Sequence, residues 1–190
     1  DTKAKRIIDI GCGPGNSTMA LRNNWPDAEI TGLDSSSEMI EKAKKHTGIN
    51  WVLADAAGDL SGLGKFDIVY SNAAIQWMPD HPALLGKLYR MLTPGGVLAV
   101  QVPYVGEMPV HLELSALENS GKWKPHFDGR VEKHSMHDAP YYYDVLSTLG
   151  AQFNIWVTTY IHVMENHEAL VEWYSGSALL PYFKCLDEAQ

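Results

Sequence analysis

Cysteine is nearly absent: Cys12 and Cys185 are the only two in 190 residues. Without a framework of paired cysteines or metal-type spacing, a disulfide-stapled secreted domain and a structural metal site are both excluded. Cations are also in deficit, with 15 Lys and Arg against 23 Asp and Glu and a formal net charge of −8. Phosphate backbones are bound through a cationic surplus, so no nucleic-acid partner is expected. Long apolar runs are missing as well. No stretch approaches the ~18 to 20 residues of a membrane span, and no signal peptide is expected ahead of Ile7. The reading is a cytoplasmic protein with reduced thiols and no membrane partner; its oligomeric state is not legible.

What is present is an ordinary globular composition, 45% apolar and 20% charged, in a chain long enough for one well-buried domain and too short for two ordinary ones. The chain is organised around residues 7–15 and Asp34. Ile7-Ile8-Asp9-Ile10 is a short apolar run broken by one carboxylate, followed by Gly11-Cys12-Gly13-Pro14-Gly15 and by the polar Asn16-Ser17-Thr18. This predicts a buried strand, a tight turn and a helix N-terminus that Asn16 or Ser17 caps. A dinucleotide fingerprint places its third glycine six positions after counting begins at the first; here that position is Asn16 and the glycine comes early, at Gly15. The pattern here is D-x-G-x-G-x-G, and its acidic residue before the glycines suits a cationic amino-acid group; a ligand such as S-adenosylmethionine would bring no pyrophosphate to accommodate. At this point the chain resembles the class I S-adenosylmethionine-dependent methyltransferases, although the glycine turn alone leaves other nucleotides open.

Further along, strand and helix signals alternate. Residues 16–24 read as a helix with Met19, Ala20 and Leu21 inward, and 28–33 as a strand ending at Asp34. A carboxylate at that distance from the glycines suits ribose hydroxyls; the alternative is a helix cap, a duty that Ser35 and Glu38 can take as a capping box. Residues 38–45 read as helix and 49–54 as a third strand that ends at Asp55-Ala56, suited to an adenine edge or simply to another cap. Phe66–Tyr70 reads as the fourth strand, and its exit, Ser71 to Asp80, combines small Ala73 and Ala74 with the directional groups of Asn72, Gln76 and Trp77. Trp77 is equally readable as a core residue. Asp80 caps a helix whose inner face is Leu84, Leu85, Leu88 and Met91, Thr93 to Gly96 turn, and Val97 to Val102 is a fifth strand covered on both faces.

Beyond Pro103 the pattern changes. Residues 108–119 read as a helix with Val110, Leu114 and Leu117 on one face, and 120–138 as a mobile cover or a surface insertion. Pro140 opens a helix stopped by Gly150, residues 153–163 alternate apolar and polar as a long strand near a sheet edge, and 166–175 read as helix. The expected architecture is α/β: a Rossmann-like, mostly parallel, doubly wound sheet with a small helical cap. It is organised as a single domain over 1–190, with a core of 5–103 and 140–163 and cap or lid elements at 104–139 and 164–190. Terminal segments of a longer protein are expected to be missing.

With the exit of the fourth strand in view the resemblance narrows. DIGCGPGNST (9–18), TGLDSS (31–36), SNAAIQWMPDH (71–81), PGGVLAVQVP (94–103) and YYDVLSTLGAQFNIWVTTYIHVM (142–164) together resemble the trans-aconitate methyltransferases. The resemblance implies S-adenosylmethionine as cofactor, S-adenosylhomocysteine as product, and a small acid, trans-aconitate or a related one, as substrate. Expected cofactor-binding residues are Asp9, Gly11, Cys12, Gly13, Gly15, Asn16, Asp34, Ser35, Asp55, Ala56 and Asn72. Expected substrate-binding residues are Gln76, Trp77, His111 and Tyr143, with His111 alternatively a solvated helix residue. The chain departs from the family pattern at Pro103-Tyr104-Val105, in place of Pro-Asp-Asn, and at Ala178-Leu179-Leu180-Pro181, in place of Gly-Leu-Arg-Pro. The second departure removes an arginine that would clamp a carboxylate.

A carboxylate acceptor is ionised at neutral pH and a sulfonium is a good leaving group, so in-line positioning suffices and no catalytic base and no metal are expected. Two other classes stay open: a methyltransferase for another nitrogen or oxygen nucleophile, and a cofactor-binding domain without activity.

Overall fold

The computed structural model describes residues 3–106, 108–131, 135–176 and 178–186. Of these, the residues within 1–103 and 135–154 form one compact unit, and those within 104–134 and 155–190 form a second.

The first unit is built on five parallel strands: β1 (Arg6–Ile10), β2 (Glu29–Asp34), β3 (Asn50–Leu53), β4 (Phe66–Asn72) and β5 (Leu92–Gln101), in the order β3-β2-β1-β4-β5. The chain therefore walks outward from β1 to β3, jumps back across β1, and continues through β4 and β5. The reversal between β1 and β4 is where ligands lodge in open sheets of this kind.

Strand alternation divides the core between the two faces. Ile7, Ile30 and Ile68 point to the face covered by α1 (Asn16–Asn24), where Leu21 and Ala28 join them. Ile8, Ile10, Leu33 and Val69 point to the other face, where α3 (His81–Arg90) supplies Leu84, Leu85 and Leu88, Met91 follows directly, and α6 (Ala139–Ser147) supplies Val145. Between them in the chain lie α2 (Ser37–Ala43), which buries Ile40 and Ala43, and in the second unit α4 (Pro109–Glu118) and α5 (Lys124–Phe127). The second unit also holds α7 (His167–Ser175), capped by Asn166, and α8 (Leu180–Phe183).

Several expectations change. In α1 the inner positions are Thr18 and Leu21, while Ala20 is exposed. The start of α1 is not capped by a side chain: Gly15, at φ 95°, takes the cap position and Asn16 is the first helical residue. At α2 the cap is Ser36, whose hydroxyl accepts from Met39 N–H at 3.3 Å, so the Ser35 capping box does not form. Strand β5 starts at Leu92, and Thr93 to Gly96 are taken up as an irregularity in its register between the Phe66–Leu92 and Ile68–Val97 pairs. Thr93 Oγ1 pins it by donating to Asp67 Oδ1 at 2.8 Å.

The largest correction concerns residues 153–163, which form no strand. Alternation describes a segment with one apolar side, but a strand also needs a hydrogen-bonded neighbour. None of the described strands pairs with this segment, and Trp156, Val157, Tyr160, Ile161 and Val163 stay 68–94% exposed. Residues 155–163 also fall in the second unit, not in the sheet-bearing one. The span 120–138 contains α5, and within it residues 132–134 lie outside the described ones. Among the described residues no helix is long and apolar enough to cross a membrane, and no group of His, Cys, Asp and Glu could hold a metal ion.

Candidate functional site

A cleft of about 280 Å³ opens at the carboxyl ends of β1, β2 and β4, lined by Gly11, Gly13, Leu33, Asp34, Ser35, Ala54, Ala56, Ala73, Ala74, Trp77 and Met78. A wider hollow of about 570 Å³ follows α7 along His167, Glu168, Val171, Glu172 and Ser175. All five of those residues come from one helix, so that hollow is a surface groove, and the chemistry-bearing strand ends converge on the smaller cleft.

The floor of the cleft is the glycine turn. Gly11 N–H and Cys12 N–H both donate to Leu33 carbonyl oxygen, at 2.7 and 2.9 Å, which joins the turn to the end of β2. Gly11 has φ +71°, and a β-carbon there would stand 2.3 Å from Ala74 Cβ; only glycine lets the loop after β4 come this close. Gly13, at φ +54°, has nothing within 4 Å of where a β-carbon would sit, so its backbone faces open space. With no side chain capping α1, the first N–H groups of that helix remain for a ligand or solvent.

Asp34 ties the rim together. Its Oδ2 accepts from Gly13 N–H at 2.8 Å and its Oδ1 from Ser36 N–H at 2.8 Å. Each carboxylate oxygen keeps further acceptor capacity, so Asp34 can hold the turn and still take a ligand hydroxyl.

Asp9 lies inside β1 and is fully buried. Its Oδ2 accepts from Ser17 Oγ and Thr18 Oγ1, both at 2.7 Å, while Oδ1 has no protein partner. Burial, opposed by those two hydroxyls, raises its pKa above the usual carboxylate range. Cys12 is buried beneath the turn, and burial together with Asp9 and Asp34 pushes its thiol up to about 12, so it stays protonated and inert.

Other expected residues sit less directly. Asp55 is exposed and its Oδ1 accepts from Ala57 N–H at 2.8 Å, closing a local turn; its neighbours Ala54 and Ala56 supply the cleft wall. Asn72, at the end of β4, and Asn16 are exposed and outside the lining. Gln76 is buried: Nε2 donates to Ala73 carbonyl oxygen at 2.7 Å, and Oε1 lacks a partner. Trp77 is half-exposed and lines the cleft. His111 belongs to the second unit, where its ring meets Tyr174 edge-on at 6.1 Å. Tyr143 is turned outward onto Phe153 and does not line the cleft, whereas Tyr141 and Tyr142 pack against the core.

The sequence reading also missed Lys87. From α3 its ammonium donates to the carbonyl oxygens of Ala56, Ala57 and Gly58, at 2.9, 2.6 and 2.7 Å. All three of its donors are thereby spent on the loop after β3, part of which walls the cleft.

The sequence is similar to known proteins along nearly the whole chain. A family model described as a methyltransferase domain matches residues 7–96. A trans-aconitate 2-methyltransferase of Azoarcus sp. (strain BH72) is 39% identical over 97% of this chain and 72% of its own length. Those of Methylobacterium radiotolerans and Escherichia coli (strain ATCC 8739) are 40% and 37% identical, over 95% and 97% of this chain and 70% and 71% of their own. The chain belongs to the trans-aconitate 2-methyltransferase family. Among solved structures, the plantazolicin methyltransferase BpumL in complex with a pentazolic desmethylPZN analog and SAH gives a TM-score of 0.60 at 21% identity, covering 77% of this chain and 55% of that one. The same enzyme in complex with SAH alone gives 0.59 at 17% identity, over 97% and 72%. At these identities the likeness bears on the fold, and it is the class I methyltransferase fold that the strand order describes.

In this family member the donor set suits S-adenosylmethionine on structural grounds. The cleft offers open space over Gly13, whose N–H is held by Asp34, a carboxylate with spare acceptor capacity at Asp34 itself, and small walls at Ala54, Ala56 and Ala74. Asp9, which does not line the cleft, keeps a buried carboxylate oxygen without a partner.

Proposed function

We propose that this chain is an S-adenosylmethionine-dependent O-methyltransferase acting on a carboxylate of trans-aconitate or a closely related small acid. The observation that carries this reading is 37–40% identity to trans-aconitate 2-methyltransferases over nearly the entire chain, joined to a strand-end cleft whose glycine turn and acidic rim are intact.

The cofactor, when bound, supplies an electrophilic methyl group on a positively charged sulfur. The residues proposed to hold it are the glycine turn at Gly11, Gly13 and Gly15, with Asp34 accepting ribose hydroxyls and Ala54 to Ala56 flanking the base. Asp9 is assigned a supporting part: it fixes the start of α1 through Ser17 and Thr18 and leaves one oxygen to balance positive charge. Trp77 is the proposed apolar wall on the acceptor side, with Ala73 and Ala74 small enough to admit the acid.

No side chain has to remove a proton from a carboxylate acceptor at neutral pH, so the protein's contribution is orientation and exclusion of water. Among the described residues lining the cleft there is no Lys or Arg. The acceptor side proposed here, Ala73, Ala74, Trp77 and Met78, is apolar, and an acceptor carboxylate placed against it loses water, which sharpens its reactivity.

The test is formation of S-adenosylhomocysteine from S-adenosylmethionine in the presence of trans-aconitate, cis-aconitate, isopropylmalate-like acids or fatty acids. The proposal expects turnover that depends on trans-aconitate or a near relative. Turnover no faster with any acid than without one would sink it.

A further inference from the structure

Residues 73–78, which follow β4, build one wall of the cleft through Ala73, Ala74, Trp77 and Met78. Two non-glycine residues in left-handed conformation bracket the segment, Ala73 at φ 50° and Asp80 at φ 52°. Such a backbone is costly for residues with a β-carbon and persists only where its surroundings over-determine it.

Besides the local turn bonds of Trp77 N–H to Ala74 and of Met78 N–H to Ile75, four hydrogen bonds hold the 73–78 segment. Ala73 N–H donates to Gln101 carbonyl oxygen at 3.0 Å, Gln76 Nε2 to Ala73 carbonyl oxygen at 2.7 Å, and Ser135 N–H to Gln76 carbonyl oxygen at 2.8 Å. The fourth comes from His81, the first residue of α3 and only 1% exposed, whose Nε2 lies 2.8 Å from Ile75 carbonyl oxygen.

That last contact fixes a tautomer. A carbonyl can only accept, so Nε2 carries the proton. In that tautomer Nδ1 is the nitrogen left to accept. Tyr142 Oη stands 2.9 Å from Nδ1 and must be the donor. Burial, and secondarily Tyr141, pushes the Tyr142 phenol up to about 12, so its proton is retained at any ordinary pH. His137 closes the group, edge-on to His81 at 5.1 Å and stacked on Tyr141 at 3.7 Å. Residues 61 apart in sequence are thus joined through one imidazole.

We infer that His81 and Tyr142 are positioning residues for methyl transfer: the chain Tyr142 O–H to His81 Nδ1, and His81 Nε2–H to Ile75 carbonyl oxygen, holds the strained 73–78 wall in its reactive shape. The inference rests on the reading that this cleft is where transfer takes place. Neither side chain lines the cleft, so neither touches the reacting groups; the effect passes through the backbone of Ile75 to its neighbours Ala74 and Trp77. Small displacements of such a wall matter, because an error of about 1 Å in reacting geometry costs on the order of 100-fold in rate.

Tyr142→Phe removes the donor and keeps the ring, so packing survives while Nδ1 loses its partner. In the nitrogen-15 NMR spectrum of the wild-type chain, His81 should show the Nε2–H tautomer. In Tyr142→Phe with S-adenosylhomocysteine present, the amide signals of residues 74–78 should shift while those of Gly13 and Asp34 stay put. Turnover should fall roughly 10- to 100-fold in kcat, with the Kd for S-adenosylhomocysteine changed less than about threefold. A His81→Phe, Tyr142→Phe double variant should be no slower than His81→Phe alone, since both act through the same bond. Unchanged kcat together with unmoved 74–78 amides would overturn the inference. So would an equal loss of product affinity and kcat, which marks a general structural defect. If the wild-type chain turns over no acid, the functional reading fails, and the NMR comparison still decides whether Tyr142 holds the wall.

Discussion

The carboxylate of Asp34 accepts the backbone N–H of Gly13 at 2.8 Å across 21 residues of sequence. The end of β2 thereby sets the shape of the turn after β1, and the same side chain receives Ser36 N–H on its other oxygen. One residue couples two strand ends and the start of α2, which is why so much of the cleft depends on it.

Asp34→Ala should weaken binding of S-adenosylhomocysteine by about 1.5–3 kcal/mol, the usual worth of hydrogen bonds to a charged group, or roughly 10- to 150-fold in Kd. Asp34→Asn should lose less, because its amide oxygen still accepts. Titration calorimetry reads both, and an Asp34→Ala protein with wild-type affinity would remove this residue from the binding site.

Asp9 makes an opposite prediction for stability. Burial raises its folded pKa above the 3.8 of an unperturbed carboxyl. As pH rises from 3.8 through the folded pKa, the unfolded chain releases its proton first, so stability falls across that window and levels off above it. Asp9→Asn should abolish this part of the pH dependence, leaving the protein at least as stable at neutral pH. It should also lower affinity for S-adenosylhomocysteine, since the partnerless Oδ1 no longer carries charge. Denaturant unfolding from pH 3 to 8 checks the first expectation; a slope unchanged in Asp9→Asn would contradict it.

Lys87 gives a test away from the cleft lining. Lys87→Met leaves the carbonyls of Ala56, Ala57 and Gly58 without their shared donor and frees the loop after β3. Affinity for S-adenosylhomocysteine should drop several-fold, roughly 1 kcal/mol, and Lys87→Arg should recover part of it. A Met variant that binds as the wild type does would show that this loop needs no such hold.

Most of the first unit was legible because periodicity reports burial directly. Leu84, Leu85, Leu88 and Met91 fall on one helical face and are buried, and the spacing from the glycines to Asp34 identified the cleft rim. What escaped depends on partners far away in the chain. Lys87 looks like any solvated helix lysine until three carbonyls close on it, and neither His81 nor Tyr142 announces the other. Residues 153–163 failed for the complementary reason: their alternation was real, but pairing is a property of two segments, and sequence shows only one. Tyr142 and Tyr143 are adjacent aromatic residues on a short helix, and sequence does not show which direction each one faces.

The central claim is transfer of a methyl group from S-adenosylmethionine to a carboxylate. Its most direct measurement follows a labelled methyl group from S-adenosylmethionine into trans-aconitate and then exposes the product to mild alkali. Label should appear in the acid and be released by alkali as methanol, the behaviour of a methyl ester. Alkali-stable label confined to amine or phenol controls, or no label in any acid, would contradict it.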